Sequence, residues 1–129
     1  MKQFLVVDDD QFMLTVIERQ LRALGYEAIK TLSDSREALG LLRLEPGRFD
    51  FLFLDLNMPG VDGLQFLKNM PEGFSGKIVV ISGEHEEIRE WALRHGKKNS
   101  VKIVGQLPKP PKRDDIAALL KKSSWDLPT

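Results

Sequence analysis

Unbroken apolar runs of four residues recur along the chain: Phe4-Leu5-Val6-Val7, Phe51-Leu52-Phe53-Leu54 and Ile78-Val79-Val80-Ile81. Runs this short suit strands rather than helices, and the lack of alternation suits strands buried on both faces. Between them apolar residues fall at three- and four-residue spacing. Met13, Leu14, Ile17, Leu21 and Leu24 form such a stripe, the signature of an amphipathic helix. The pattern predicts strands over residues 3–7, 27–31, 51–54, 77–81 and within 101–107. It predicts helices over 11–24, 34–44, 63–70, 86–95 and 113–122. Gly25 and Gly96 stand where helices should stop, Asp34-Ser35-Arg36-Glu37 reads as a capping box, and Pro46-Gly47 and Pro71 close two further units. Strands alternating with helices imply right-handed crossovers and a parallel sheet covered on both faces.

The runs end in chemistry. The first is followed by Asp8-Asp9-Asp10, the second by Asp55 and the third by Ser82, while the last strand leads to Lys109 between Pro108 and Pro110. In open α/β sheets, ligands bind at the carboxyl ends of the strands. Parallel strands would therefore gather three kinds of group on one edge: an acidic, cation-binding pocket with a hydroxyl and an ammonium on its rim. Pro59-Gly60, shortly after Asp55, forces a turn there.

Composition narrows the classes. At 129 residues and 42% hydrophobic content the chain is one ordinary globular domain. It has no cysteine, which excludes disulfides and thiolate metal sites and fits a reducing compartment. No run approaches the length of a membrane span, and the N-terminus lacks a signal-like region, so a cytoplasmic location is expected. Net charge is zero but uneven: residues 1–93 carry 10 basic and 16 acidic groups, and residues 94–129 carry 9 basic and 3 acidic. Neutral overall charge without interleaved aromatic and basic residues argues against direct nucleic-acid binding.

Together these motifs resemble the receiver domain of two-component response regulators. They are Val6-Val7-Asp8-Asp9-Asp10, the stretch from Leu54 to Gly63, Ile81-Ser82-Gly83 and Lys109-Pro110. The similarity spans roughly residues 2–122, leaving 123–129 as a tail or the start of a linker. It implies a flavodoxin-like, doubly wound sheet of strand order 2-1-3-4-5. It further implies that Asp55 accepts a phosphoryl group from a sensor histidine kinase or phosphotransfer protein. Asp9, Asp55 and the backbone carbonyl of Asn57 would bind Mg²⁺, with Asp8 acting largely through a metal-bound water. Ser82 and Lys109 would contact the phosphoryl oxygens. The chemistry suits these residue types. A carboxylate nucleophile gives a mixed anhydride with phosphate, clustered carboxylates favour a divalent cation, and lysine supplies a point charge.

The resemblance implies a signalling switch rather than an enzyme acting on other molecules. Phosphorylation would draw Ser82 inward and repack the face formed by the fourth helix, fifth strand and fifth helix. Receivers often dimerise through that face, so a phosphorylation-dependent homodimer is a further expectation. Two features depart from the family. Gln106 stands where most receivers place Tyr or Phe, and the Ser82–Lys109 interval is longer by about one helical turn. The phrase from Arg94 to Pro110 looks like receivers coupled to EAL-type cyclic-di-GMP phosphodiesterase domains, implying an output linked to that messenger. The chain then reads either as part of a longer regulator or as a single-domain one. Asn57 and Glu84 match the residue types bordering the hydrolytic water path in the chemotaxis regulator, which predicts fast self-dephosphorylation.

Other residues have plainer readings. Asp10 is a helix N-terminal charge, Asp62-Gly63 a cap, and His85 and His95 surface residues; Trp91 is expected to be partly buried. The competing functions are a haloacid-dehalogenase-type phosphatase, a flavodoxin-like cofactor binder and a pseudo-receiver that binds partners without phosphate. The phosphatase class has its Asp-x-Asp motif after the first strand, and three acids there would repel a flavin phosphate. The pseudo-receiver is disfavoured because Asp8, Asp9, Asp55, Ser82 and Lys109 are all present.

Overall fold

The computed structural model describes residues 1–58, 63–81 and 102–125. Strands β1 (Gln3–Val7), β2 (Ala28–Leu32), β3 (Phe51–Asp55), β4 (Lys77–Ile81) and β5 (Lys102–Leu107) form a parallel sheet in the order β2-β1-β3-β4-β5. The described helices are α1 (Gln11–Ala23), α2 (Ser35–Leu44), α3 (Gly63–Lys68) and α4 (Arg113–Trp125). This is the flavodoxin-like architecture expected from the sequence. The helix expected over 86–95 lies outside the described residues, as do Ser82, Gly83, Glu84 and the loop over 94–100.

Each central strand is apolar on both sides because each side meets helices. Leu5, Val7, Leu52, Leu54, Ile78 and Val80 pack with Leu39 and Leu42 of α2 and with Phe66 and Leu67 of α3. Phe4, Val6, Phe51, Phe53, Val79 and Ile81 pack on the other side, with Leu14, Ile17 and Leu21 of α1 and Ile116 and Leu120 of α4. The expected α1 stripe is the buried one, with Leu24 half-buried at its end.

Local signals set the helix ends. The Asp34 side chain caps α2, accepting from the N–H groups of Arg36 at 2.8 Å and Glu37 at 3.5 Å. Gly25 adopts φ 100° after α1. There its N–H donates to the Arg22 carbonyl and that of Tyr26 to Leu21, the paired bonds of a Schellman stop. Two ends differ from expectation. The third helix stops at Lys68, and α4 continues through Ser123 and Ser124 to Trp125. Neither serine breaks a helix, and the next breaker is Pro128.

The fifth strand carries a feature that its sequence pattern did not predict. Ile78 pairs with Ile103, but Val79 pairs with Gly105, so Val104 is an extra residue. Such a bulge reverses the alternation of side chains. Ile103 packs with the α2–α3 cluster, whereas Val104 and Leu107 pack with the α1–α4 cluster. Gly105 faces α4 so closely that a Cβ there would collide with the Leu119 side chain.

Candidate functional site

Register builds the acidic pair. Val7 of β1 pairs with Leu54 of β3, so the next residues, Asp8 and Asp55, emerge side by side at the carboxyl edge. Adjacent strands lie about 4.8 Å apart, which puts two carboxylates almost in contact. The register is pinned at the opposite end of the strands. There the Gln3 N–H donates to the Asp50 carboxylate at 2.7 Å and the Asp50 N–H to the Gln3 carbonyl at 2.8 Å. Both site carboxylates are fully buried, while Asp9, one residue further out, is exposed.

Each buried carboxylate has one oxygen held and one left over. Asp8 Oδ1 accepts from the Asp10 N–H at 2.9 Å, and Asp55 Oδ1 accepts from the Asn57 N–H at 2.9 Å. Lys109 Nζ also lies 2.9 Å from Asp55 Oδ1. Asp8 Oδ2 and Asp55 Oδ2 are buried without a hydrogen-bond partner. Carboxylate oxygens of Asp8, Asp9 and Asp55 all lie within 4.8 Å of one another. Hard anionic oxygens left unsatisfied in a buried cluster suit a divalent cation that takes one or two carboxylates and keeps several waters, as Mg²⁺ does. Asp8, Asp9 and Asp55 are the residues that would hold it.

The electrostatics agree. Burial raises the Asp8 pKa from 3.8 to about 7, opposed by the Asp10 N–H, reinforced by the neighbouring charge of Asp55, and relieved in part by Lys109. Burial alone would lower the Lys109 pKa. Its hydrogen bond to Asp55 and the charges of Asp55, Asp8 and Asp9 outweigh that effect and hold it above the ordinary lysine value of 10.5. Lys109 is therefore a fixed cation at neutral pH. Replacing it with Met is expected to move the Asp8 titration to above pH 7, because a charge that favours ionised Asp8 is lost. A carboxyl-carbon NMR titration measures this shift, and an unchanged or lower midpoint would contradict it.

The β5 bulge brings the lysine to the right side. Leu107 pairs with Ile81 on the α1–α4 side of the sheet, the same side as Phe53 and hence as Asp55. Lys109 follows two residues later and reaches Asp55. Gln106 opposes Val80 and is half-buried on the α2–α3 side. Asp10 caps α1 by accepting from the Phe12 N–H at 2.9 Å.

Comparison with known proteins agrees with this geometry. A model of the "Response regulator receiver domain" matches residues 4–121. The chain belongs to the response regulator receiver domain family. The positive alginate biosynthesis regulatory protein of Pseudomonas aeruginosa is 34% identical over 123 residues, which are 93% of this chain and 46% of that protein. The two-component response regulator ORR26 of Oryza sativa subsp. japonica is 34% identical over 93 residues, 71% of this chain and 16% of that protein. The chain thus spans less than half the length of these curated relatives. Among solved structures, the chemotaxis protein CheY4 of Vibrio cholerae matches with TM-score 0.76 and 28% identity, over 95% of this chain and 98% of that one. The receiver domain of sensor histidine kinase PA1611 from Pseudomonas aeruginosa, described with a magnesium ion coordinated in its active-site cleft, matches with TM-score 0.70 and 25% identity, over 94% of this chain and 95% of that one.

Receiver domains are signalling switches that work with histidine kinases or phosphotransfer proteins and with output domains, and they bind Mg²⁺ at an acidic pocket. Asp8, Asp9, Asp55 and Lys109 come together in this receiver domain. Asn57 is exposed, joined to the site through its N–H, and Ser82 falls outside the described residues. No helix among the described residues is long and apolar enough to cross a membrane.

Proposed function

We propose that Asp55 is the phosphoacceptor of this receiver domain, taking the phosphoryl group of a phosphohistidine on a sensor kinase or phosphotransfer protein. The observation that carries this reading is the Asp8–Asp55–Lys109 cluster, in which a buried carboxylate is held by a fixed ammonium beside two unsatisfied carboxylate oxygens. An Asp55 oxygen attacks phosphorus, the P–N bond breaks, and the imidazole leaves with the bonding electrons to take up a proton. Asp55 thereby exchanges a carboxylate for an acyl phosphate, and Lys109 passes from the carboxylate to a phosphoryl oxygen. Bound at Asp8, Asp9, Asp55 and the Asn57 carbonyl, Mg²⁺ supplies charge neutralisation for the transferring group. Ser82 is assigned the remaining phosphoryl contact. The change in charge at Asp55 is read out on the face around β5 and α4.

The receiver unit is assigned to residues 1–122, acting in the cytoplasm. Its output is carried by a further domain or partner, with cyclic-di-GMP turnover as the linked process. Asn57 and Glu84 are assigned to the hydrolytic water path and to a short-lived phospho-form.

The test is intact-protein mass spectrometry after incubation with Mg²⁺ and acetyl phosphate or phosphoramidate. The expected result is a phosphoryl adduct on the wild type that is missing from Asp55→Asn and prevented by chelating Mg²⁺ before the donor is added. No adduct from either donor, with no response to beryllofluoride, would replace this reading with the phosphate-independent pseudo-receiver.

A further inference from the structure

Lys109 reaches Asp55 from a loop that the sheet does not hold. The loop runs from the end of β5 at Leu107 to the start of α4 at Arg113, and a side chain of α1 anchors it. Gln20 Nε2 donates to the Pro111 carbonyl at 3.2 Å, and Arg113 Nε donates to Gln20 Oε1 at 3.0 Å. The orientation of the amide is set by its partners, since a guanidinium can only donate and a carbonyl can only accept. Both ends of one amide are therefore spent on the two residues that follow and precede Lys112.

The loop transmits this anchor. Pro108, Pro110 and Pro111 surround Lys109, and each proline locks its own φ near −65°. Few soft torsions then remain between Lys109 and the Pro111 carbonyl that Gln20 holds. The same helix that carries Gln20 begins directly after Asp8-Asp9-Asp10, with Asp10 as its cap. One rigid element is thus tied to the acidic run at its start, through the Asp10 cap, and to the lysine loop at its last turn, through Gln20.

We infer that Gln20 is a positioning residue for phosphoryl transfer, fixing Lys109 against Asp55 through its two hydrogen bonds to the Pro111–Arg113 segment. This inference rests on the phosphoacceptor reading of Asp55. Gln20 touches neither the acids nor the phosphoryl group. Its contribution runs through Lys109 alone, so it vanishes when Lys109 is gone. Ala is a good helix former at this half-buried site, so Gln20→Ala leaves α1 intact.

The test is a double-mutant cycle on the rate of adduct formation from phosphoramidate, comparing wild type, Gln20→Ala, Lys109→Ala and the double variant. Gln20→Ala is expected to slow the wild type about tenfold, a scale set by small misplacements of a reacting group, and to leave Lys109→Ala unchanged. Gln20→Glu keeps the acceptor for Arg113 but loses the donor to Pro111, and its rate should fall between the two. A second readout needs neither metal nor donor. In the metal-free protein, the Lys109 ammonium NMR signal, assigned by its loss in Lys109→Arg, should be sharp in the wild type and broadened by Gln20→Ala. An equal slowing with and without Lys109, an unaltered Gln20→Ala rate, or an unaltered ammonium signal would each overturn the inference while leaving the phosphoacceptor reading in place. No adduct on the wild type would overturn both.

Discussion

Asp8→Asn is expected to make the metal-free protein more stable above pH 7 and to remove most of its response to Mg²⁺. The two effects share one cause. Asp8 and Asp55 are fully buried, each keeps an unpartnered oxygen, and burial, reinforced by the charge of Asp55, carries the Asp8 pKa to about 7. In the unfolded chain Asp8 loses its proton near 3.8. Between the two values the folded state binds more protons than the unfolded state, so stability falls as pH rises through this window. Below it both states are protonated and Asp8 costs nothing. Above it the folded protein carries a repelled, desolvated charge. Asn keeps the shape and drops the charge, and the expected gain above pH 7 is about 2 kcal/mol. That corresponds to roughly 5–10 °C in Tm. Mg²⁺ is expected to stabilise the wild type by binding only the folded site, and Asp8→Asn, which removes a buried carboxylate from that site, to weaken the ion's hold. Thermal melts across pH, with chelator and with Mg²⁺, measure both effects. A variant that melts below the wild type in chelator at neutral pH would show that the pair is held by something other than repulsion awaiting a cation.

Gly63→Ala is expected to cost about 2–4 kcal/mol, at the upper end of overpacking effects. Gly63 opens α3, and its N–H donates to the Leu56 carbonyl at 2.9 Å. A Cβ there would overlap the backbone Cα of Leu56 and lie 2.9 Å from its Cβ. A backbone atom cannot rotate away as a side-chain tip can. Leu56 follows Asp55 and donates its own N–H to the Ile81 carbonyl at 3.2 Å, so the displacement enters the site. A Tm lowered by about 10 °C, with a smaller Mg²⁺ shift, is the expected result. Gly40→Ala is the matched control. Gly40 lies within α2, a Cβ there meets nothing within 4 Å, and removing a helical glycine should raise stability by about 0.5–1 kcal/mol. Equal Tm changes in the two variants would refute the close-packing argument at Gly63.

The acids of the candidate site were legible because they stand at the ends of apolar runs, and Lys109 because it follows the last strand between two prolines. Asp8 and Asp55 follow buried strands, and burial on both faces is written as an unbroken apolar tetrad. The cap at Asp34 and the stop at Gly25 were legible for a related reason: they are local, satisfied by backbone within a few residues. The role of Gln20 was not. A glutamine near a helix end is ordinary in sequence, and its partners, Pro111 and Arg113, lie 91 and 93 residues away. The β5 bulge did leave a signal in Gly105, since a glycine inside a strand often marks a bulge or a close approach.

By itself the sequence determined that strands and helices alternate, that the sheet is parallel and doubly covered, and that acids and a lysine gather at its carboxyl edge. These follow from period, run length and capping, which act over a few residues. Tertiary structure alone decided which oxygens are left without partners, and how a bulged strand turns Lys109 toward Asp55 instead of away from it. Those outcomes depend on register and on contacts across the fold. A shift of one residue in β5 reverses every side chain beyond it while leaving the local pattern unchanged.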